Sequence, residues 1–448
     1  PNRKIIFDYL VFNRTEHSNE TFFENIFKLP HGHSINIDLN ETKVELQIKK
    51  WYSLRDSVSN AQGLRNSEEF KDLFIESVKL RLRSDVPVGV CLSGGLDSSA
   101  LTSVIIKELK VNDLNTFSAI YGNGEKVDES KYINLYINYP GKRFFIFPTA
   151  DTLMADLNKF VSAHSEPIPS TSPYAQFKVM ELAKKNVKVT LDGQGADELL
   201  GGYDYMLAFY FKELFLKFKW LKLGKELISY FKKHRNFQPV SYLVFSFVPR
   251  KMKVRFGSKM ARDLDKSFVD KYQEESTIAE NLYNSRSFKD HLLDHFEYKL
   301  EHLLKWEDRN SMIHSIEARV PFLDHRLVER TLASDKLLYP FYGRTKILLR
   351  NAMNDIIPNE IRDRDDKIGF GTPQDEWFRT DIWKNFITLL INSESFKSRG
   401  IFNVSMINKI YQDHLNNKRN VSNTIWKWIH MELWFREFID NQQNNFKE

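Results

Sequence analysis

The rhythm of hydrophobic and polar positions changes three times along the chain. Through residues 1–52, segments such as "SINIDL" and "KVELQIKKW" alternate apolar and polar side chains after the turn-forming "LPHGH", which predicts short strands and turns. Residues 53–66, "SLRDSVSNAQGLRN", are polar and patternless, as a linker is. At Ser67-Glu68-Glu69 an N-cap with acids in the first turn opens a helix in which Phe70, Leu73, Phe74 and Val78 fall at helical spacing.

Short apolar runs then alternate with helical stretches. The pattern predicts strands at 88–92, 116–121, 143–147 and 187–191, with a helix from about Ser98 to Lys110. Such alternation means an α/β fold, a mostly parallel sheet with flanking helices. Ligands of these sheets sit at the carboxyl ends of the strands, where the Gly-rich segments 93–95 and 193–195 both fall. Beyond residue 204 the strand signal fades into a largely helical C-terminal region. One stretch there, "FYFKELFLKFKWLKLGKELISYFKKH" (209–234), is basic and aromatic. A membrane-surface helix or a nucleic-acid face would carry that pattern. The simpler reading, an amphipathic helix with its aromatic stripe packed inward, is preferred. The terminal "DNQQNNFKE" reads as frayed.

A length of 448 residues exceeds one ordinary core and predicts two or three domains. The net charge of +6 permits weak attraction to anions such as ATP or nucleic acid and requires neither. The one cysteine, Cys91, lies inside the apolar run 88–92, which excludes an internal disulfide framework and suits a cytoplasmic location. In that setting its thiol is packing rather than a nucleophile. No run reaches the roughly 18 apolar residues of a membrane helix, and no signal peptide is visible.

The chemistry concentrates in two glycine turns. In "VCLSGGLDSSA" (90–100) a strand end breaks at Gly94-Gly95 and enters a helix. Adjacent glycines allow close backbone approach to a ligand, and a helix N-terminus favours an anion. A phosphate grip is expected, yet the Lys-[Ser/Thr] of a Walker A loop is missing and Asp97 stands where a cation would serve. "TLDGQGADELLGGY" (190–203) repeats the arrangement, with Asp197 and Glu198 in the first helical turn. Facing each other across neighbouring strand ends, Asp97 and Asp197 would share a Mg²⁺ with substrate phosphates. Merely complementing two helix dipoles is the alternative.

"SGGLDSS" resembles the pyrophosphate loop of the N-type ATP pyrophosphatases. "LDGQGADELLGGY", "DRNSMIHSIEARVPFLDHRLVE", "GRTKILLRNAM" and "IPNEIRDRDDKIGFGTP" follow in order, and together they resemble the glutamine-hydrolysing asparagine synthetase family over nearly all of the chain. The resemblance implies a PP-loop fold and the cofactors ATP and Mg²⁺. It also implies a ligase that turns a carboxylate, aspartate first of all, into an acyl-adenylate with loss of pyrophosphate, then adds glutamine-derived ammonia. No P-loop lysine is needed, because the γ-phosphoryl group is not transferred. The nucleotide would be held by Leu92, Ser93, Gly94, Gly95, Leu96, Asp97, Ser98, Ser99, Asp192 and Gly193, with Ala119 or Ile120 on the second strand. Asp97 and Asp197 would carry the metal that neutralises pyrophosphate. Lys346 matches the family lysine that stabilises charge during adenylation and amide formation; the bland alternative is a surface lysine. Glu317 and Arg319 would order the loop beside the acyl-acceptor pocket, or form only a structural ion pair.

Two departures stand out. Gln194 replaces the glutamate of better-known members and cannot act as a base, although it can orient an intermediate by hydrogen bonds. "ETFFENIFKLPHGHSINIDL" with "KKWYSL" resembles the end of a glutaminase domain, yet no cysteine precedes Cys91 and the chain starts at Pro1. The expected organisation is a glutaminase remnant over 1–52, a linker over 53–66 and a synthetase domain over 67–448, with its α/β core at about 67–205 and its helical part at about 206–448. A missing N-terminal glutaminase domain is then a partner, alongside small-molecule substrates. Neither nucleic acid nor membrane is expected, and a homodimer is left open. A β-lactam-forming or peptide-cyclising synthetase is the near alternative. A tRNA-thiolating enzyme, which would want more cysteines, and a non-catalytic scaffold are remoter ones.

Overall fold

A computed structural model describes residues 1–38, 46–122, 127–234, 237–278, 285, 287–334, 336–366 and 371–440. The tail read as frayed lies outside these residues from 441 onward.

The N-terminal segment differs from the strands expected of it. Arg3–Phe12 is a helix, capped by Asn2, whose side chain accepts from the Ile5 N–H, and closed by Asn13 in the left-handed region. Its run Ile5, Ile6, Phe7, Tyr9 and Leu10 is apolar almost all round, which a short window cannot distinguish from a strand, and all five are buried. The alternating segments do form strands, β1 (His33–Asn36) and β2 (Gln47–Lys50), paired antiparallel with Ile35 opposite Ile48. The patternless stretch 53–66 contains a short helix, Leu54–Asn60, capped by Ser53.

The central sheet has five parallel strands in the order β5-β4-β3-β6-β7. These are β3 (Val88–Cys91), β4 (Asn115–Ala119), β5 (Arg143–Ile146), β6 (Val189–Leu191) and β7 (Glu317–Arg319). The fifth strand, β7, lies where the strand signal has faded from the sequence: three residues beside a polar motif give no periodicity to detect. From β3 the chain winds outward through β4 and β5, then returns to the other side of β3 as β6. The order therefore reverses between β3 and β6, which is where such sheets open a crevice for ligands. Both glycine turns end these two strands.

Alternation along β3 sends side chains into two cores. Val90 and Leu92 join Phe70, Phe74 and Val78 of helix Ser67–Arg81 on one face. Cys91 packs on the other with Phe117, Val179 and Met180. A separate aromatic core lies in the helical region, built on Trp383, Trp426, Trp428 and Trp434, and helix Arg3–Phe12 is buried in it. Tyr9 donates to the Ile168 carbonyl at 2.8 Å, and Lys427 to the Leu10 carbonyl at 2.5 Å. The first residues are thus structurally part of the C-terminal core. Among the described residues no helix is long and apolar enough to cross a membrane.

Candidate active site

At the end of β3 the backbone turns at Gly94 with φ of 82°, a left-handed value that glycine reaches without strain. The Ser93 hydroxyl lies 3.0 Å from that of Ser98, and the Ser93 N–H donates to Ser98 Oγ at 3.2 Å, so side chains tie the turn to the helix it opens. The second turn approaches the first closely: a Cβ on Gly193 would sit 3.2 Å from both the Asp97 Cβ and the Ser98 backbone nitrogen. Gly195 has φ of 87° and starts helix Ala196–Leu200, with Asp197 in its first turn.

Between the turns lies Lys346, only 7% exposed and itself in the left-handed region with φ of 54°. Its Nζ is 2.7 and 2.6 Å from the two Asp97 carboxylate oxygens and 2.6 Å from Asp197 Oδ1. Burial disfavours the ammonium, but the charges of Asp197 and Asp97 outweigh that and raise its pKa. Gly202 is required by this cradle, since a Cβ there would fall on Asp197 Oδ1 and Lys346 Cε. The three residues come from the two glycine turns and from the "GRTKILLRNAM" motif, and the fold converges them on one point.

The cleft around this point encloses about 490 Å³. Of the residues expected in the site, Ser93, Gly95, Leu96, Asp97, Ser98, Asp192, Gly193, Gln194, Asp197 and Lys346 line it. Leu92, Gly94, Ser99, Ala119 and Ile120 are not on its wall. Leu92 and Ser99 are buried behind it, and the Ser118 hydroxyl holds the Leu92 carbonyl at 2.6 Å. Glu317 and Arg319 lie outside the cleft on β7, paired at 2.7 Å, and Arg319 also donates to the carbonyls of Arg81 and Arg83 at 2.7 Å. Theirs is the structural ion pair of the two alternatives.

Several cleft groups carry no individual signal in the sequence, although Arg350 and Arg364 fall within two of its motifs. Arg364 donates to the Gly94 carbonyl at 3.0 Å and to Glu129 at 2.7 Å, and its guanidinium stacks 3.8 Å over Tyr132. It braces the first turn from outside. Glu129, pushed up to about 7 by burial against the pull of Arg364, lines the same wall. Arg350, one helical turn beyond Lys346, also faces the cleft. Beneath the floor Glu307 is 3% exposed and sits against Asp192, with the Gln176 amide as its other polar neighbour. Burial first, then the Asp192 charge, raises the Glu307 pKa well above the usual range. Burial likewise raises Asp192. Two carboxyls in such contact bond to each other only if one keeps a proton. Cys91 adjoins them, its thiol pushed up by burial and by Asp192, which supports packing over nucleophilic use.

Among the described residues no three His, Cys, Asp or Glu side chains form a ready cage for a metal. Asp97 and Asp197 converge on a common cation, the Lys346 ammonium. A pair of carboxylates completed by phosphate oxygens and water is the usual setting of Mg²⁺, so the donor set fits that ion when a nucleotide is bound.

The family described as "Asparagine synthase" matches residues 69–436. "Asparagine synthetase [glutamine-hydrolyzing] 1" of Bacillus subtilis (strain 168) is 27% identical over 82% of this chain and 58% of its own length. A "Putative asparagine synthetase [glutamine-hydrolyzing] 2" of Methanocaldococcus jannaschii is 35% identical over 41% of this chain and 35% of its own. "Amidase chry2" of Gibberella zeae is 23% identical over 80% of this chain and 60% of its own. The chain thus spans about 60% or less of the length of these relatives.

Proposed function

The chain belongs to the asparagine synthase family, and from that premise we propose that it is the ATP-dependent amide-forming part of such a ligase. On this reading it activates aspartate as an acyl-adenylate and gives the acyl group to ammonia. The observation that carries the reading is the convergence of Lys346, Asp97 and Asp197 at the reversal of strand order, inside a cleft floored by two glycine turns.

ATP enters with its β- and γ-phosphates over the Ser93–Ser99 turn, where Ser93 and Ser98 hydroxyls and the helix N-terminus supply donors. Asp97 and Asp197 would hold Mg²⁺, whose charge neutralises the departing pyrophosphate. The aspartate side-chain carboxylate attacks the α-phosphorus. Lys346, freed from its bridging position as the phosphates arrive, offsets the negative charge that builds on phosphorus and later on the tetrahedral carbon. Ammonia then attacks the acyl carbon and AMP leaves. Gln194 faces the cleft and orients the adenylate by its amide, without accepting a proton. Titratable carboxyls remain beside it, because Asp192 lines the wall and Glu307 stands behind.

The test is ATP–pyrophosphate exchange across a panel of carboxylates, with aspartate first and free ammonia as the amine. Exchange greatest with aspartate, followed by asparagine formation, is expected. Exchange with another acid alone would keep the ligase and change its substrate, and exchange with none would overturn the adenylation reading.

A further inference from the structure

The basic aromatic stretch does not bury its stripe as one amphipathic helix. It is two helices, Leu207–Leu216 and Trp220–His234, broken at Phe218, which takes a left-handed φ of 56°. The first buries Leu207, Tyr210, Phe211 and Leu214, whereas the second buries only Leu223, Glu226 and Tyr230. The break turns apolar side chains outward: Phe218 is 78% exposed, Trp220 59% and Leu221 89%. Phe215 and Phe247 continue the surface, their rings 5.5 Å apart, onto the neighbouring helix Gln238–Phe247. Isolated exposed apolar residues are ordinary, but a contiguous aromatic patch marks an interaction site.

Charge identifies the occupant. Between residues 207 and 262 the sequence has ten lysines and four arginines against two acids, Glu213 and Glu226. Both acids are buried and engaged, Glu213 with the Phe288 N–H at 2.9 Å and Glu226 with the Gly343 N–H at 3.1 Å. Lys217, Lys219 and Lys222, interleaved with the apolar tips, are exposed. A second copy of the same face would set lysines against lysines. A nucleic acid would use the cations and could stack bases on the aromatic rings, but it leaves the exposed aliphatic Leu216 and Leu221 without a partner. A layer that is anionic outside and apolar just beneath satisfies both features at once.

We propose that the surface formed by the helix break at Phe218 and the adjoining Phe215–Phe247 patch docks the protein onto an anionic lipid bilayer. Phe218, Trp220 and Leu221 enter the acyl boundary while the flanking lysines meet the headgroups. The contact is peripheral and lies outside the cleft, so it does not depend on the ligase reading.

Flotation of the purified chain with vesicles of phosphatidylcholine, with and without phosphatidylglycerol, tests the proposal. Binding only to the anionic vesicles, weakened by salt, is expected. The pair Trp220→Ser and Leu221→Ser, and separately Lys217→Glu with Lys219→Glu and Lys222→Glu, should each lower binding on the order of tenfold or more. These side chains are exposed, and an unchanged melting temperature would verify that the fold survives. Absence of binding to anionic vesicles overturns the proposal. So does binding that survives both sets of variants, tight binding to single-stranded nucleic acid with none to vesicles, or a dimer that the serine pair dissociates.

Discussion

Two pairs of carboxylates, one lining the cleft and one running from its wall to beneath its floor, are stabilised in opposite ways. Asp97 and Asp197 face each other across the glycine turns with the Lys346 ammonium between them. Asp192 and Glu307 meet beneath the floor with no cation, and burial drives them toward sharing a proton. Exposure accounts for the difference. The first pair is about one-fifth exposed, where a charge can be exchanged for another arriving from solvent, while the second is almost fully buried. One pair is therefore suited to trading cations during a reaction and the other to holding or moving a proton.

Removing a carboxylate from the first pair should produce the largest effect. Asp97→Asn or Asp197→Asn should reduce pyrophosphate release to background while circular dichroism shows an intact fold. Near-normal adenylation in both variants would remove these residues from the chemistry and end the comparison. Next in size is Lys346→Met, which leaves two partly buried carboxylates with no counter-charge. A loss of roughly 10² to 10³ in the rate of adenylation is expected, as for a preorganised electrostatic group. A melting temperature that recovers on adding MgATP would show that the lysine and the nucleotide-bound cation occupy one place in turn.

The first pair could be found in the sequence because each aspartate follows a glycine turn at a strand end, a local pattern with a physical meaning. Lys346 needed the family resemblance, since nothing about "GRTKILL" by itself says that its lysine is buried. Glu307 escaped both routes. It sits at helical spacing in an ordinary charged run, "LKWEDRN", and only the packing of that helix against β7 and the helix Ser172–Ala183 reveals a buried carboxyl. Helix Arg3–Phe12 was missed for a related reason: an element buried all round shows no face, and its partner core lies some four hundred residues away in sequence. The sheet was legible through its alternation, apart from three-residue β7. The break at Phe218 was not, because a left-handed phenylalanine has no sequence signature.

The second pair can be tested through pH. Both carboxyls have folded pKa values raised above their unfolded ones, so the folded chain binds more protons than the unfolded chain above the ordinary carboxylate range. Stability contributed by the pair is therefore present at low pH and lost as pH climbs toward the raised values. Glu307→Gln supplies a permanent donor to Asp192 and removes one titrating group. Its melting temperature should fall less steeply with rising pH than that of the native chain, by a few degrees over the neutral range. Parallel curves would show that the two carboxyls do not share a proton.

The smallest expected effect, and the sharpest comparison of the two pairs, belongs to Gln194. If the amide only orients the adenylate, Gln194→Leu removes one or two hydrogen bonds, each worth about 1 kcal/mol net, and single-turnover AMP formation should slow by about tenfold. Gln194→Glu should remain active and shift its pH profile, because a carboxylate at that position adds a base beside the buried pair. Combining Gln194→Glu with Glu307→Gln then separates the roles. If Glu307 handles the amine's proton in the native chain, the new glutamate should restore much of what Glu307→Gln loses. Recovery of that kind would show that a proton-handling carboxylate serves from either position. Additive losses would confine Glu307 to structure. A loss on Gln194→Leu as large as that on Lys346→Met would place residue 194 at the reacting centre itself.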